Sequence, residues 1–169
     1  MDIIFDIDGT LANAEHRLPH ILDNMLWVGI PPRPNWDAFL DPAAIAEDTP
    51  ILEMWDVLTA LVEQRHQIIF VTGRKQSLFD TTFAWLMNDS CPVRRRAVAI
   101  WREGGAPEPR LFMRSESDRS KSFVVKSEIL HKLRHLGFNP KIAFDDRADD
   151  IKMYRGAGLI GCQVSDGQF

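Results

Sequence analysis

The sequence predicts an α/β fold, a parallel sheet with helices on both faces, and two observations carry that prediction. Short apolar runs rich in β-branched residues recur along the chain, each too brief for a helix. Between them lie segments whose apolar residues repeat at helical spacing. Strand and helix alternating over most of a chain imply a sheet covered on both sides, in which ligands gather beyond the carboxyl ends of the strands.

Taken in order, the strand candidates are "DIIF" (2–5), "QIIFV" (67–71), "RLFM" (110–113), "KIAF" (141–144) and "CQV" (162–164). The helical spacings are Ile51, Trp55, Leu58 and Val62, then Phe79, Phe83 and Leu86, then Val125, Ile129 and Leu133. Two stretches break the alternation. Residues 13–50 carry six of the ten prolines, including the run "GIPPRPNWDAFLDP", and read as an irregular excursion after the first strand. Residues 91–122 are arginine-rich and interrupted by Gly-Gly and Pro, and read as the second.

Bulk properties narrow the function. With 169 residues and 45% apolar content, the chain is enough for one compact domain, 1–169, with a core. A net charge of -4 excludes non-specific nucleic-acid binding by bulk charge, so any such binding must be local. Cys91 and Cys162 belong to no zinc spacing and no disulfide framework, which fits a reducing cytoplasm. No stretch reaches the roughly 20 apolar residues of a membrane span, and the start has no signal-peptide pattern. The expectation is a soluble cytoplasmic protein with no membrane partner.

The chemistry lies at the strand ends. Asp6 and Asp8 follow the first strand, with Gly9 and Thr10 turning the chain. Two carboxylates this close imply either a raised pKa or a bound hard cation such as Mg2+. Asp145 and Asp146 follow "KIAF" in the same way, and an oxygen-rich cluster suits Mg2+ and not zinc. After "QIIFV" come Thr72, Gly73 and Arg74, expected as a hydroxyl, a flexible turn and a guanidinium at the same edge. Lys126 stands near the start of an amphipathic helix. A hydroxyl, an ammonium and backbone amides beside a Mg2+ site are what a phosphoryl group needs as its charge redistributes.

"DIDGT" (6–10), "TGR" (72–74), Lys126 and "DD" (145–146), in that order, resemble the four motifs of the haloacid-dehalogenase-like superfamily of phosphatases. "FDIDGTLA", "VTGR", "VVKSEIL", "AFDDR" and "CQVSDGQF" further resemble the phosphatase domain of phage polynucleotide kinase-phosphatases and their stand-alone relatives. The resemblance implies a three-layer Rossmann-like sheet with a small cap or flap insert at 13–50. It implies Asp6 as the nucleophile of an aspartyl-phosphate and Asp8 as general acid and then base. By the same resemblance Thr72 and Lys126 hold the phosphate, and Gly73, Arg74 and Arg17 lie against substrate. Asp145 and Asp146 complete a Mg2+ shell with Asp6 and the Asp8 carbonyl. Where relatives carry acidic residues before the lysine, this chain has Ser122 and Phe123. No GxxxxGK[ST] occurs, so the chain carries no kinase half.

The implied activity is a Mg2+-dependent phosphomonoesterase acting on a polynucleotide 3'-phosphate; the alternative is a nucleoside monophosphatase of phage nucleotide metabolism. Outside the motifs the plainer readings lead. Asp150 reads as a surface or helix-start residue, His16 and His20 as structural or solvated, and Trp36 as packing against Phe39 instead of stacking on a base. Residues 94–121 hold eight basic against four acidic side chains, a local +4 that could track a phosphate backbone or form a solvated loop.

Overall fold

The computed structural model describes residues 1–22 and 33–167. Five parallel strands form one sheet: β1 (Asp2–Phe5), β4 (Gln67–Lys75), β5 (Arg110–Arg114), β6 (Pro140–Asp145) and β7 (Ile160–Gln163), in the order β5-β4-β1-β6-β7. All five apolar runs are therefore strands, and β1 is central. Buried on both faces, its residues alternate: Ile3 and Phe5 face one helical layer, and Ile4 faces the other.

The first layer holds α3 (Leu52–Glu63), α4 (Phe79–Leu86) and α5 (Pro92–Arg102). Trp55, Leu58 and Val62 of α3 pack with Trp85, Leu86, Ala97, Val98 and Trp101 over Phe5 and Phe70. The second layer holds α6 (Ser122–His135) and α7 (Ala148–Gly156), whose Val125, Ile129, Leu133 and Tyr154 cover Ile4, Ile69 and Ala143. Helix α5 corrects the reading of 91–122 as irregular. Pro92 occupies the first turn, where its missing N–H is harmless, and Arg94, Ala97, Val98 and Trp101 form the buried stripe.

A second correction concerns Thr72, Gly73 and Arg74. They belong to β4 instead of a turn beyond it, because the strand continues to Lys75 with a register shift against β5 between Thr72 and Lys75. Gly73 therefore supplies no turn.

Between β1 and α3, β2 (Ala12–Asn13) pairs antiparallel with β3 (Thr49–Pro50) and closes the neck of the excursion. Beyond the neck lie a 3-10 turn (Glu15–His20), α1 (Trp36–Phe39) and α2 (Pro42–Ala46). Asn35 and Asp41 cap these short helices through backbone amides of Ala38, Ala43 and Ala44. Ala14, Leu18, Ile21 and Phe39 form a small core of their own. The expected insert at 13–50 includes residues 23–32, which lie outside the described residues, as do Pro31 and Pro32 of the proline run and the last two residues of "CQVSDGQF".

Candidate active site

The carboxyl ends of β1, β4 and β6 meet in one cavity of about 660 Å³, lined among others by Asp6, Asp8, Gly73, Arg74 and Lys126. Strand β1 ends at Phe5, so Asp6 projects just past it, and its N–H remains bonded to Phe144 O at 3.0 Å. Gly9 has φ +78, and a Cβ there would meet Asp146 Oδ2 at 2.3 Å. Only glycine lets the two aspartate pairs approach this closely.

Lys126, buried on the first turns of α6, is the cationic centre. Its Nζ donates to Asp145 Oδ2 at 2.7 Å and lies 2.9 Å from Asp6 Oδ1 and 2.8 Å from Asp150 Oδ2. Burial opposes its charge, but Asp145, Asp6 and Asp150 override that and hold its pKa well above the usual lysine value. Asp150 stands in the first turn of α7, as its reading as a helix-start residue had it, but it is fully buried and accepts from Ser122 Oγ at 2.7 Å, so it is no surface residue. The acidic support missing before the lysine is thus supplied from α7, with Ser122 fixing it.

Asp6, Asp145 and Asp146 each offer a carboxylate oxygen, all within 4.8 Å of one another. Burial, and then the neighbouring carboxylates, raise all three against the pull of Lys126; Asp146 is pushed up to about 7. Asp146 Oδ1 is buried with no hydrogen-bond partner among the described residues. An excess of buried carboxylates over one ammonium, with an orphaned oxygen, fits a hard divalent cation such as Mg2+.

Asp8 belongs to a separate network. Arg74 donates from Nε and Nη2 to Asp8 at 2.9 and 2.7 Å, and Arg17 Nη2 donates to Asp8 Oδ1 at 2.6 Å. Both guanidiniums also donate to Asp48, Arg17 at 2.8 Å from Nε and Nη2 and Arg74 at 2.8 Å from Nη2. Burial alone would raise the Asp8 pKa, yet Arg74 and then Arg17 hold it well below the usual carboxylate range. Asp48 moves the opposite way, raised by burial despite Arg17 and Arg74.

Several sequence-predicted residues fall elsewhere than expected. Arg17, expected against substrate, is fully enclosed behind Asp8, with Nη1 on Phe39 O at 2.7 Å and its guanidinium 4.5 Å from the Phe39 ring centre. Thr72 is fully enclosed too, its Oγ1 accepting from Arg74 N–H at 3.2 Å. The two histidines fall as expected: His16 Nε2 bonds Ala44 O at 3.0 Å, and His20 is exposed. Trp36 corrects the packing expectation: it touches Phe39 edge-on at 5.8 Å, yet is 47% exposed and lines the cavity.

The basic segment divides. Arg94 is buried, donating to Trp85 O with its guanidinium 4.3 Å from the Trp85 ring centre; Arg96 pairs with Glu63 and Arg102 with Asp89. Only the later part, with Arg114, Arg119 and Lys121, lines the cavity. Asp48 was missed because it belongs to no motif and meets Arg17 across 31 residues.

The sequence model of the polynucleotide kinase PNKP phosphatase domain matches residues 37–169. The chain belongs to this family of phosphatase domains. It is therefore a phosphatase of the haloacid-dehalogenase-like type. The matched span contains Thr72, Arg74, Lys126, Asp145 and Asp146; Asp6 and Asp8 precede it. Solved structures with the same fold include chains of the Pnkp1/Rnl/Hen1 RNA repair complex and of a Pnkp1/Rnl/Hen1 complex. Their TM-scores are 0.64 and 0.67, at 20% and 21% identity over 99% of this chain. This chain spans 43% and 46% of theirs, less than half. A haloacid dehalogenase-like hydrolase of Streptococcus pneumoniae matches with TM-score 0.53 and 13% identity, over 95% of this chain and 82% of its own. Among the described residues no helix is long and apolar enough to cross a membrane.

Proposed function

We propose that this phosphatase is a Mg2+-dependent polynucleotide 3'-phosphatase acting through an aspartyl-phosphate. The observation that carries the chemistry is the convergence of Asp6, Asp145 and Asp146 on one point beside Lys126. Asp6, Asp145, Asp146 and the Asp8 carbonyl would hold Mg2+. When bound, the cation neutralises the carboxylates and the non-bridging phosphoryl oxygens.

In the first half-reaction an Asp6 carboxylate oxygen attacks phosphorus, the P–O bond to the sugar breaks, and Asp8 gives its proton to the departing alkoxide. In the second, Asp8 takes a proton from water as that water attacks phosphorus, releasing phosphate and restoring Asp6. Lys126 Nζ, which lines the cavity, is assigned to the phosphoryl oxygens, while the enclosed Thr72 Oγ1 holds the Arg74 backbone beside them. Arg17 and Arg74 keep Asp8 ionised, the form the second step needs. Arg74 also lines the cavity beside Gly73, so an arriving phosphate dianion competes for its guanidinium and loosens its hold on Asp8. That competition lets Asp8 accept the proton that the first step consumes.

The whole chain is read as one domain in which residues 13–50 act as a cap, since Arg17 and Asp48 tie that excursion to Asp8. The polynucleotide reading rests on the PNKP family match and on a cavity larger than one phosphate group needs. A substrate panel at fixed Mg2+ tests it, with 3'- and 5'-phosphorylated oligonucleotides beside 3'- and 5'-mononucleotides. The expected result is fastest release from the 3'-phosphorylated oligonucleotide. Release from 5'-mononucleotides alone would replace it with the nucleoside monophosphatase.

A further inference from the structure

The cavity is wider than the chemistry at its floor requires. Its volume of about 660 Å³ falls within the range of sites for whole small molecules, about 300–1,000 Å³. Its two sides differ in kind: the excursion supplies Trp36, Phe39 and Leu40, and the segment after β5 supplies Arg114, Arg119 and Lys121.

Backbone carbonyls aim Arg114 and Arg119, and among the described residues neither they nor Lys121 has a carboxylate partner. Arg114 donates from Nε to Gly73 O at 2.9 Å and from Nη1 to Ser120 O at 2.6 Å. Arg119 Nη1 donates to Glu116 O at 2.8 Å and Asp118 O at 3.3 Å. Among the described residues none of Arg114, Arg119 and Lys121 makes an ion pair, whereas Lys75 and Arg147 on the same cavity do. Acidic groups are present, but they are occupied: Asp118 accepts from Ser120 N–H at 2.7 Å, and Asp37 faces Lys75 at 3.7 Å. Asp149 is the remaining acidic side chain outside the catalytic floor. Burial, and against Asp118 the charges of Arg119 and Arg147, lower the Arg114 pKa, as crowded positive charge does.

We propose that Arg114, Arg119 and Lys121 form a subsite for a second phosphate of the substrate strand. This is the phosphodiester on the 5' side of the nucleotide whose 3'-phosphate lies at Asp6. The inference rests on the 3'-phosphatase reading above. A phosphodiester presents two non-bridging oxygens that share one negative charge and match a guanidinium fork, and its neutralisation releases counterions. A nucleoside 3'-monophosphate has only an uncharged 5'-hydroxyl to place there. The subsite thus discriminates strand ends from free mononucleotides.

The test compares kcat/KM for a nucleoside 3'-monophosphate, a nucleoside 3',5'-bisphosphate and a 3'-phosphorylated trinucleotide, in the unaltered protein and in the double variant R119A/K121A. The subsite predicts that the unaltered protein prefers the two longer substrates. It predicts that the double variant loses about tenfold or more of that preference, as expected when charged hydrogen bonds disappear. The salt dependence of trinucleotide binding should flatten by about one logarithmic slope unit per lost phosphate contact. If the double variant folds, by its circular dichroism and melting curve, and keeps the full preference, the subsite is wrong although the 3'-phosphatase stands. If the unaltered protein releases the 3'-phosphate from none of the three substrates, the 3'-phosphatase reading has failed first. A bisphosphate as poor as the monophosphate beside a good trinucleotide would place the recognised phosphate farther along the strand and overturn the subsite as drawn.

Discussion

Asp150 Oδ2 lies 2.8 Å from Lys126 Nζ, joining the last helix of the sheet's second layer to the cationic centre of the site. Lys126 also touches Asp6 and Asp145, so removing Asp150 leaves its charge compensated. The Asp150→Asn variant should therefore lose less stability than the ~3–5 kcal/mol typical of a broken buried pair. Turnover should fall by about ten- to a hundredfold, because Lys126 loses one of three fixed contacts and placement errors near reacting atoms are costly. Lys126→Ala should fall further, by about a hundredfold or more. Denaturant unfolding and steady-state rates on the same preparations separate the two effects.

Asp6→Asn should abolish turnover, since an amide is no nucleophile at phosphorus. Asp8→Asn should abolish it as well, since an amide cannot shuttle the proton. The two should differ in stability. Asp6 is crowded by carboxylates, so neutralising it relieves repulsion; Asp8 is held between Arg17 and Arg74, so neutralising it breaks a buried network, at about 3–5 kcal/mol. A melting temperature that falls only for Asp8→Asn is the expected result.

The strands were legible because each contains a short apolar run, richest in buried β-branched residues in β1 and β4, and the ends of β1, β4 and β6 carried the aspartate and Thr72-Gly73-Arg74 motifs. Helix α5 was not, since Arg94 occupies one position of its 94, 97, 98, 101 stripe and disguises a buried face as a polar one. Helix α7 was obscured in the same way by Asp149 and Asp150 in its first turn. The motif residues converge as the order of the strands requires, but their partners were invisible. Asp48 has no local signature, and Ser122 acquires meaning only once α7 brings Asp150 against it.

Metal binding should be proton-linked. Asp146 is raised from 3.8 to about 7, so in the metal-free protein it holds a proton that Mg2+ must displace. A raised carboxylate pKa contributes stability that is present at low pH and lost as pH rises through about 7. The metal-free protein should accordingly soften between about pH 4 and 7, by this group's contribution, and Mg2+ should reverse the loss. The expected outcome is a Mg2+-induced rise in melting temperature that is larger at pH 8 than at pH 5, with proton release measurable by calorimetry in buffers of different ionisation enthalpy.

Arg94→Ala should destabilise the protein by ~2–4 kcal/mol, because it strips a buried guanidinium from Trp85 O and from the face of the Trp85 ring. Arg96→Ala, which removes an exposed pair with Glu63, should change stability by less than ~1 kcal/mol. Chemical denaturation of both variants distinguishes a core arginine from a surface one.

Trp36 carries the last prediction. It stands 47% exposed on the cavity wall, with its ring edge-on to Phe39 at 84°, so among the described residues it offers ring surface to a flat ligand in the cavity. Exposure of so large an apolar ring is unfavourable unless something covers it during the working cycle, and a nucleobase has the matching shape. Loss of one base-aromatic stack is worth ~1–3 kcal/mol, so Trp36→Ala should raise KM for nucleotide substrates by about five- to a hundredfold. Trp36→Phe keeps a π face and should recover most of that affinity. A simple alkyl phosphate has no base, so its kcat/KM should fall much less than that of the nucleotides in the alanine variant. Equal losses on both kinds of substrate would mean that Trp36 supports the wall of the cavity through Phe39 and does not touch the base.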